Sequence, residues 1–142
     1  MGRLMRGTML VPGAAQGELL VTVEPLSFWG GYDPASGQVI DRRHPLAGVN
    51  AAGKVLAVPA SKGSSTTTAV LVEALQAGTA PAGLITRQAD MFLALGAIVA
   101  DEVFGQAIPV LQLAPDDFDR LPKEGWAVIA PDGTLTLEER AA

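Results

Sequence analysis

The sequence contains no cysteine and a single histidine, His44, among 142 residues. Without cysteine the chain can form no disulfide framework, present no thiolate nucleophile and hold no thiolate-ligated iron–sulfur cluster of its own. One histidine excludes a His-rich zinc site. Long hydrophobic runs are also missing. None approaches the roughly 20 apolar residues that span a bilayer, and the run Ala94–Ala100 stops at Asp101 and Glu102. Met1–Leu10 lacks the apolar core and cleavage pattern of a signal peptide. Positive charge is scarce, with 10 Lys and Arg against 15 Asp and Glu and a net charge of −5. A basic surface for nucleic acid is therefore not expected. These absences predict a cytoplasmic protein with neither a nucleic-acid nor a membrane partner. Its chemistry must use hydroxyls, carboxylates, backbone amides or groups borrowed from another chain.

Apolar material is plentiful: 49% of residues are hydrophobic and 18% charged. That is enough to outweigh chain entropy, which polar disordered segments cannot do. The length predicts one domain spanning residues 1–142. Leu4–Val11, ended by Pro12-Gly13, and Gly17–Val23 read as strands, and Asp33–Gly37 as a turn before a short strand Gln38–Asp41. Residues 42–53 read as loop. Lys54–Val58 is a buried strand, followed by a polar turn Pro59–Ser65 and a helix Thr66–Ala77 with Val70, Leu71, Ala74 and Leu75 on one stripe. Gly78 and Pro81 stop that helix. A strand Gly83–Thr86, a helix Asp90–Phe104 weakened at Gly96, and a strand Ala107–Leu113 follow. Asp116–Arg120 reads as a short solvated turn or helix. Trp126–Ala130 and Thr134–Leu137 flank Pro131-Asp132-Gly133, a hairpin signal. Strands first, then βαβαβ, then a hairpin predicts an α/β domain, part barrel of strands flanked by helices.

Two stretches carry chemistry. In the first, Ala60-Ser61-Lys62-Gly63-Ser64-Ser65-Thr66-Thr67-Thr68 lies where a buried strand ends and a helix begins. Hydroxyls there cap the helix, and the free amides with the helix dipole attract a carboxylate or phosphate. A hydroxyl held at this place can also carry a proton, its alkoxide stabilised by the dipole and by Lys62. One cap needs one hydroxyl, yet five stand in a row from Ser64 to Thr68. Neither P-loop nor dinucleotide-fingerprint spacing is present. In the second stretch, Ser27-Phe28-Trp29-Gly30-Gly31 sets two large aromatics beside two glycines, suited to a pocket or interface as well as to a small core. Asp33 reads foremost as a turn cap. His44 reads foremost as structural or solvent-facing, since no Gly-x-Ser-x-Gly elbow accompanies it. The Arg42-Arg43-His44 patch is a candidate anion path or subunit interface, and Glu73 is expected to face solvent.

The order of these motifs is similar to one known family. Pro25–Gly31, Asp33-Pro34, Gly37, Ile40-Asp41, His44-Pro45, Gly48, Lys62-Gly63-Ser64-Ser65, Gly78–Ala82 and Leu95–Ala100 together resemble the small subunit of aconitase X, the swivel-domain protein. The resemblance covers about residues 10–113, with the hairpin at about 126–137 beyond it. It implies the aconitase-like swivelling β/β/α fold. It implies a lyase, specifically a hydro-lyase (dehydratase), formed as a heterodimer with a large catalytic subunit that carries an iron or iron–sulfur centre, with no cofactor on this chain. Ser64 is then the proton acceptor, and Lys62, Gly63, Ser65 and Thr66 are the expected substrate-binding neighbours. Ser27, Phe28, Trp29, Gly30, Gly31, Asp33 and His44 are the expected pocket or interface residues. In aconitase proper an arginine follows the Gly-Ser-Ser turn and clamps a carboxylate in bidentate fashion. Here Thr66 stands there, which argues against that clamp. Lys62 keeps a positive charge without the planar fork.

The family's two activities are dehydration of cis-3-hydroxy-L-proline, preferred here on family abundance in bacteria, and dehydration of mevalonate 5-phosphate. A non-catalytic anion-binding module is the further alternative. A phosphohistidine swivel domain is rejected, since His44 follows Arg43 and no glycine-rich motif. On this resemblance the missing cysteines imply an obligate partner that supplies every thiolate ligand.

Overall fold

The computed structural model describes residues 2–63 and 65–139. Along them run β1 (Arg3–Arg6), β2 (Thr8–Val11), β3 (Ala15–Val21), β4 (Leu26–Ser27), β5 (Val55–Ala57) and β6 (Ser61–Lys62). Then come α1 (Ser65–Ala77), β7 (Gly83–Thr86), α2 (Met91–Phe104), β8 (Val110–Gln112), α3 (Pro115–Asp119), β9 (Trp126–Ile129) and β10 (Thr134–Glu138).

Eight strands form one mixed sheet in the order β1-β10-β9-β3-β5-β7-β8-β2. Its two edge strands, β1 and β2, are consecutive in sequence and separated only by Gly7, so the sheet curls into a nearly closed barrel. The sequence reading made Leu4–Val11 one strand. The structure splits it at Gly7, whose amide donates to the Gly133 carbonyl at 2.9 Å. A Cβ at Gly7 would strike the Gln112 carbonyl oxygen. Only glycine lets the chain leave β10 and join β8 within one residue.

The parallel half of the sheet explains the unbroken apolar strands. β5, β7 and β8 are connected through α1 and α2 and pair in parallel. Both faces are covered, so neither face selects polar residues. Alternate side chains divide between two cores. Val55, Ala57, Ile85 and Leu111 point into the barrel with Leu19, Ala127, Ile129 and Leu135. Leu56, Leu84 and Val110 point the other way, towards Leu71, Ala74, Leu93 and Ala97 of the helices.

Three further readings are decided. Gln38–Asp41 forms no strand, only isolated bridges Tyr32↔Val39 and Gln38↔Asn50. The acidic run takes the helical alternative as α3, and it is not wholly solvated: Phe118 is buried and Asp119 is paired to Arg87 at 3.1 Å. Gly96 does not weaken α2 without return. A Cβ there would lie 3.0 Å from Leu71 Cδ2 and 3.3 Å from the Thr68 carbonyl, so its absence is what lets α1 and α2 approach closely.

The long connection from Thr22 to Lys54 is ordered by polar anchors. The Tyr32 hydroxyl donates to the Thr79 carbonyl at 2.6 Å, and the Thr79 hydroxyl donates to the Pro34 carbonyl at 2.7 Å. The Phe28 and Tyr32 rings stack at 5.3 Å. The loop is thereby fixed to the C-terminal end of α1, and its first part is delivered to the other end, where the serine turn lies.

Candidate functional site

Strands β4 and β6 bring the two motifs together. They pair in parallel, with Leu26 opposite Ser61 and Ser27 opposite Lys62. Beyond β6 the chain turns at Gly63, whose φ of +116° is a conformation that side-chain-bearing residues rarely adopt. α1 begins two residues later at Ser65. Ser64 itself lies outside the described residues.

The hydroxyl-rich stretch divides by partner. Thr67 is fully buried, and its Oγ1 donates to the Lys62 carbonyl at 3.3 Å. Thr68 Oγ1 donates to the Phe92 carbonyl on α2 at 2.8 Å. Ser61 gives both its amide and its hydroxyl to Asp90 Oδ2, each at 2.7 Å. These three residues hold the turn in place. Lys62, Gly63, Ser65 and Thr66 are exposed. The side chains of Lys62, Ser65 and Thr66 make no hydrogen bond or ion pair to another described residue, which leaves them available to a ligand. Asp90 is the residue that sequence reasoning missed. An Asp just before an apolar helical run signals an N-cap, and it does cap α2 by accepting from the Leu93 amide at 3.0 Å. That its second oxygen reaches back 29 residues to Ser61 leaves no trace in sequence. Ser61, Gly63, Gln88, Asp90, Met91 and Phe92 line a cleft of about 290 Å³ at this place.

The aromatic motif splits. Phe28 is fully buried against Tyr32 and belongs to the core. Trp29 is 68% exposed, and with Ser65, Thr68, Glu73 and Val99 it borders an open groove of about 680 Å³ along α1. The Ser27 hydroxyl donates to the Trp29 carbonyl at 2.9 Å, shaping this turn. Gly30 has φ +79° with open space around it, whereas a Cβ on Gly31 would strike the Ser27 carbonyl. Gly31 therefore serves close packing of the turn on itself. Asp33 caps its own turn, accepting from the Ala35 amide and the Ser36 hydroxyl, both at 2.9 Å.

His44 is buried, and the structure removes the solvent-facing alternative. The Leu46 amide donates to its Nδ1 at 3.1 Å, which requires the proton on Nε2, facing the Glu24 carbonyl at 3.4 Å. The ring is a structural brace between two stretches of backbone. Arg42 and Arg43 beside it are exposed, as is Glu73. Among the described residues no group of three or more His, Cys, Asp or Glu is placed to hold a metal ion, and no helix is long and apolar enough to cross a membrane.

Residues 4–137 match the family model of the aconitase X swivel domain. Over 132 residues the chain is 49% identical to a cis-3-hydroxy-L-proline dehydratase of Pseudomonas aeruginosa, a match covering 93% of this chain and 22% of that protein. It is 47% identical over 116 residues to the phosphomevalonate dehydratase small subunit of Methanothermobacter thermautotrophicus, covering 82% of this chain and 84% of that one. The crystal structure of Thermococcus kodakaraensis aconitase X in its holo-form superposes with a TM-score of 0.85 at 31% identity, covering 96% of this chain and 99% of that one. The chain spans only 22% and 20% of the length of two cis-3-hydroxy-L-proline dehydratases among its matches.

Proposed function

Because the chain belongs to the aconitase X swivel-domain family, we propose that it is the small subunit of a two-subunit cytoplasmic hydro-lyase that dehydrates cis-3-hydroxy-L-proline. The observation that carries this reading is the 49% identity to a protein of that activity over nearly the whole chain. The site supports it chemically. Dehydration removes a proton from carbon and expels hydroxide from its neighbour. Ser64 is the proton acceptor, between Gly63 and the first residue of α1, where the amides of the first turn favour an oxyanion. Lys62, Ser65 and Thr66 offer a cation and hydroxyls to the substrate carboxylate.

The departing hydroxide needs help, and an iron or iron–sulfur centre, where bound, would supply Lewis acidity for it. This chain does not fit such a centre: it has no cysteine, and both ring nitrogens of its one histidine are engaged by backbone. The centre is accordingly assigned to the larger subunit. The surface supports a partner. α2 presents Met91, Phe92, Leu95, Ile98 and Val103 outward, each between 41% and 64% exposed. A helix apolar on its solvent side is one that a further body covers. Met91 and Phe92 also line the cleft at Ser61 and Gly63, so a body seated on α2 closes the site.

One observation favours a second reading. The chain covers 84% of the length of a phosphomevalonate dehydratase small subunit, against about a fifth of the longer hydroxyproline enzymes. The subunit layout thus fits mevalonate 5-phosphate as substrate. The test is co-expression with the larger subunit and assay of both compounds. Turnover of cis-3-hydroxy-L-proline by the pair, and by neither chain alone, is expected. Turnover of mevalonate 5-phosphate alone would establish the second reading. Anion binding by the lone chain, with no activity from any pair, would reduce it to a binding module. In the active pair Ser64→Ala should lower kcat by roughly 100- to 10,000-fold, the usual worth of a positioned acid–base group, while assembly persists.

A further inference from the structure

We propose that Asp90 is a positioning residue for the serine turn, its single buried carboxylate clamping the start of that turn to the start of α2. The inference rests on the reading that the turn acts on substrate.

The geometry exceeds what a helix cap needs. Oδ1 does the capping, accepting from the Leu93 amide at 3.0 Å. In an exposed cap the other oxygen is left to water. Here Oδ2 accepts two bonds of 2.7 Å, from the amide and the hydroxyl of Ser61. Bonds to an ionised acceptor are short and strong, and these lie at the short end of the range. Asp90 is 7% exposed and makes no ion pair among the described residues. A buried carboxylate costs free energy unless hydrogen bonds compensate it, and Ser61 supplies two of the three.

The turn needs this support. β6 is only two residues long and pairs with the equally short β4. Gly63 follows directly, and the nearest atom to a Cβ built on it is 3.6 Å away, so packing alone does not confine it. Fixed points stand on both sides: Ser61 on Asp90, and α1 with Thr67 bonded back to the Lys62 carbonyl and Thr68 to the Phe92 carbonyl. Gly63 lies between them. Loss of the Ser61 anchor frees the Lys62–Gly63 side of the turn while both helices stay intact.

Asp90→Asn separates the clamp from the cap. Asparagine caps helices as well as aspartate does, so its oxygen keeps Leu93. Its NH2 group then meets the Ser61 amide donor against donor, and the Ser61 hydroxyl can keep a bond there only by turning its proton away and accepting. In the assembled enzyme, Asp90→Asn should lower kcat by about 10- to 100-fold, as a displacement of the order of 1 Å does, with KM changed less and the melting temperature close to wild type. Ser61→Ala, which removes one of the two bonds, should lower kcat in the same direction by less. A readout free of activity accompanies these. Amide hydrogen exchange in the lone chain should quicken at residues 62–66 in Asp90→Asn and stay unchanged in the interior of α2. Wild-type kcat and exchange in Asp90→Asn would overturn the proposal, as would a kcat that falls only in step with global stability. Faster exchange at the turn in a protein whose wild-type pair dehydrates neither substrate would leave the clamp standing and refute the functional reading instead.

Discussion

Tyr32 shows how much one side chain organises. It is almost wholly buried, stacks on Phe28 and donates its hydroxyl to the Thr79 carbonyl. Burial pushes its ionisation well above that of a free tyrosine, because the phenolate would lose its water. The folded-state value exceeds the unfolded one, so the stabilisation is complete below about pH 10 and is lost as pH rises beyond it. Tyr32→Phe should cost about 1 kcal/mol at neutral pH, the net worth of one hydrogen bond, and should flatten the loss of stability above pH 10. Urea midpoints measured at pH 7 and pH 11 check both. In the serine turn, residue chemistry alone could not separate anchors from exposed groups. Five consecutive hydroxyls are alike in one dimension. Their division into anchors, Thr67 and Thr68, and exposed groups, Ser65 and Thr66, comes from helical rotation and from the nearness of α2.

The elements themselves were mostly legible, because their signals are local. Gly83–Thr86 is β7 as read, α1 carries the expected buried stripe Val70, Leu71, Ala74 and Leu75, and the Pro131-Asp132-Gly133 turn joins β9 to β10. The errors fall where a distant neighbour decides. Gly7 divides a strand because two different strands claim its halves, and Gln38–Asp41 lacks a partner long enough to make it a strand. Gly96 belongs to the same group: local propensity marks it as a weak point, and packing marks it as the seat of Leu71. Gly96→Val should therefore destabilise by about 1–3 kcal/mol through overpacking, more than any propensity gained by removing glycine. The Leu71 and Thr68 side of α1 should shift with it. Thermal melts of the variant check the size, and loss of the Thr68–Phe92 bond should appear as faster exchange near the start of α1.

At the scale of the molecule, the nearly closed barrel is a self-sufficient core and the α1–α2 side is not. Barrel residues such as Leu135 and Ile129 are buried by the chain itself. On α2, by contrast, Met91, Phe92, Leu95, Ile98 and Val103 make an exposed apolar arc interrupted only towards the C-terminal end by the exposed Asp101 and Glu102, and it adjoins the cleft at the serine turn. An apolar arc left to water gains nothing for the isolated domain. Covering half-exposed Leu95 and Ile98 is worth roughly 1 kcal/mol each at the usual rate for buried area. Replacing both with lysine reverses that gain and adds the cost of desolvating two ammonium groups. The double variant Leu95→Lys/Ile98→Lys should fold as the wild type does, since neither side chain reaches the core. It should fail to co-purify with the larger subunit and restore no dehydration when mixed with it. Circular dichroism and size-exclusion chromatography of the lone chain, with pull-down by the tagged larger subunit, read both halves. If instead the wild-type chain alone is a dimer that these lysines dissolve, while the larger subunit still binds the variant, α2 is a face between two copies and the larger subunit seats elsewhere.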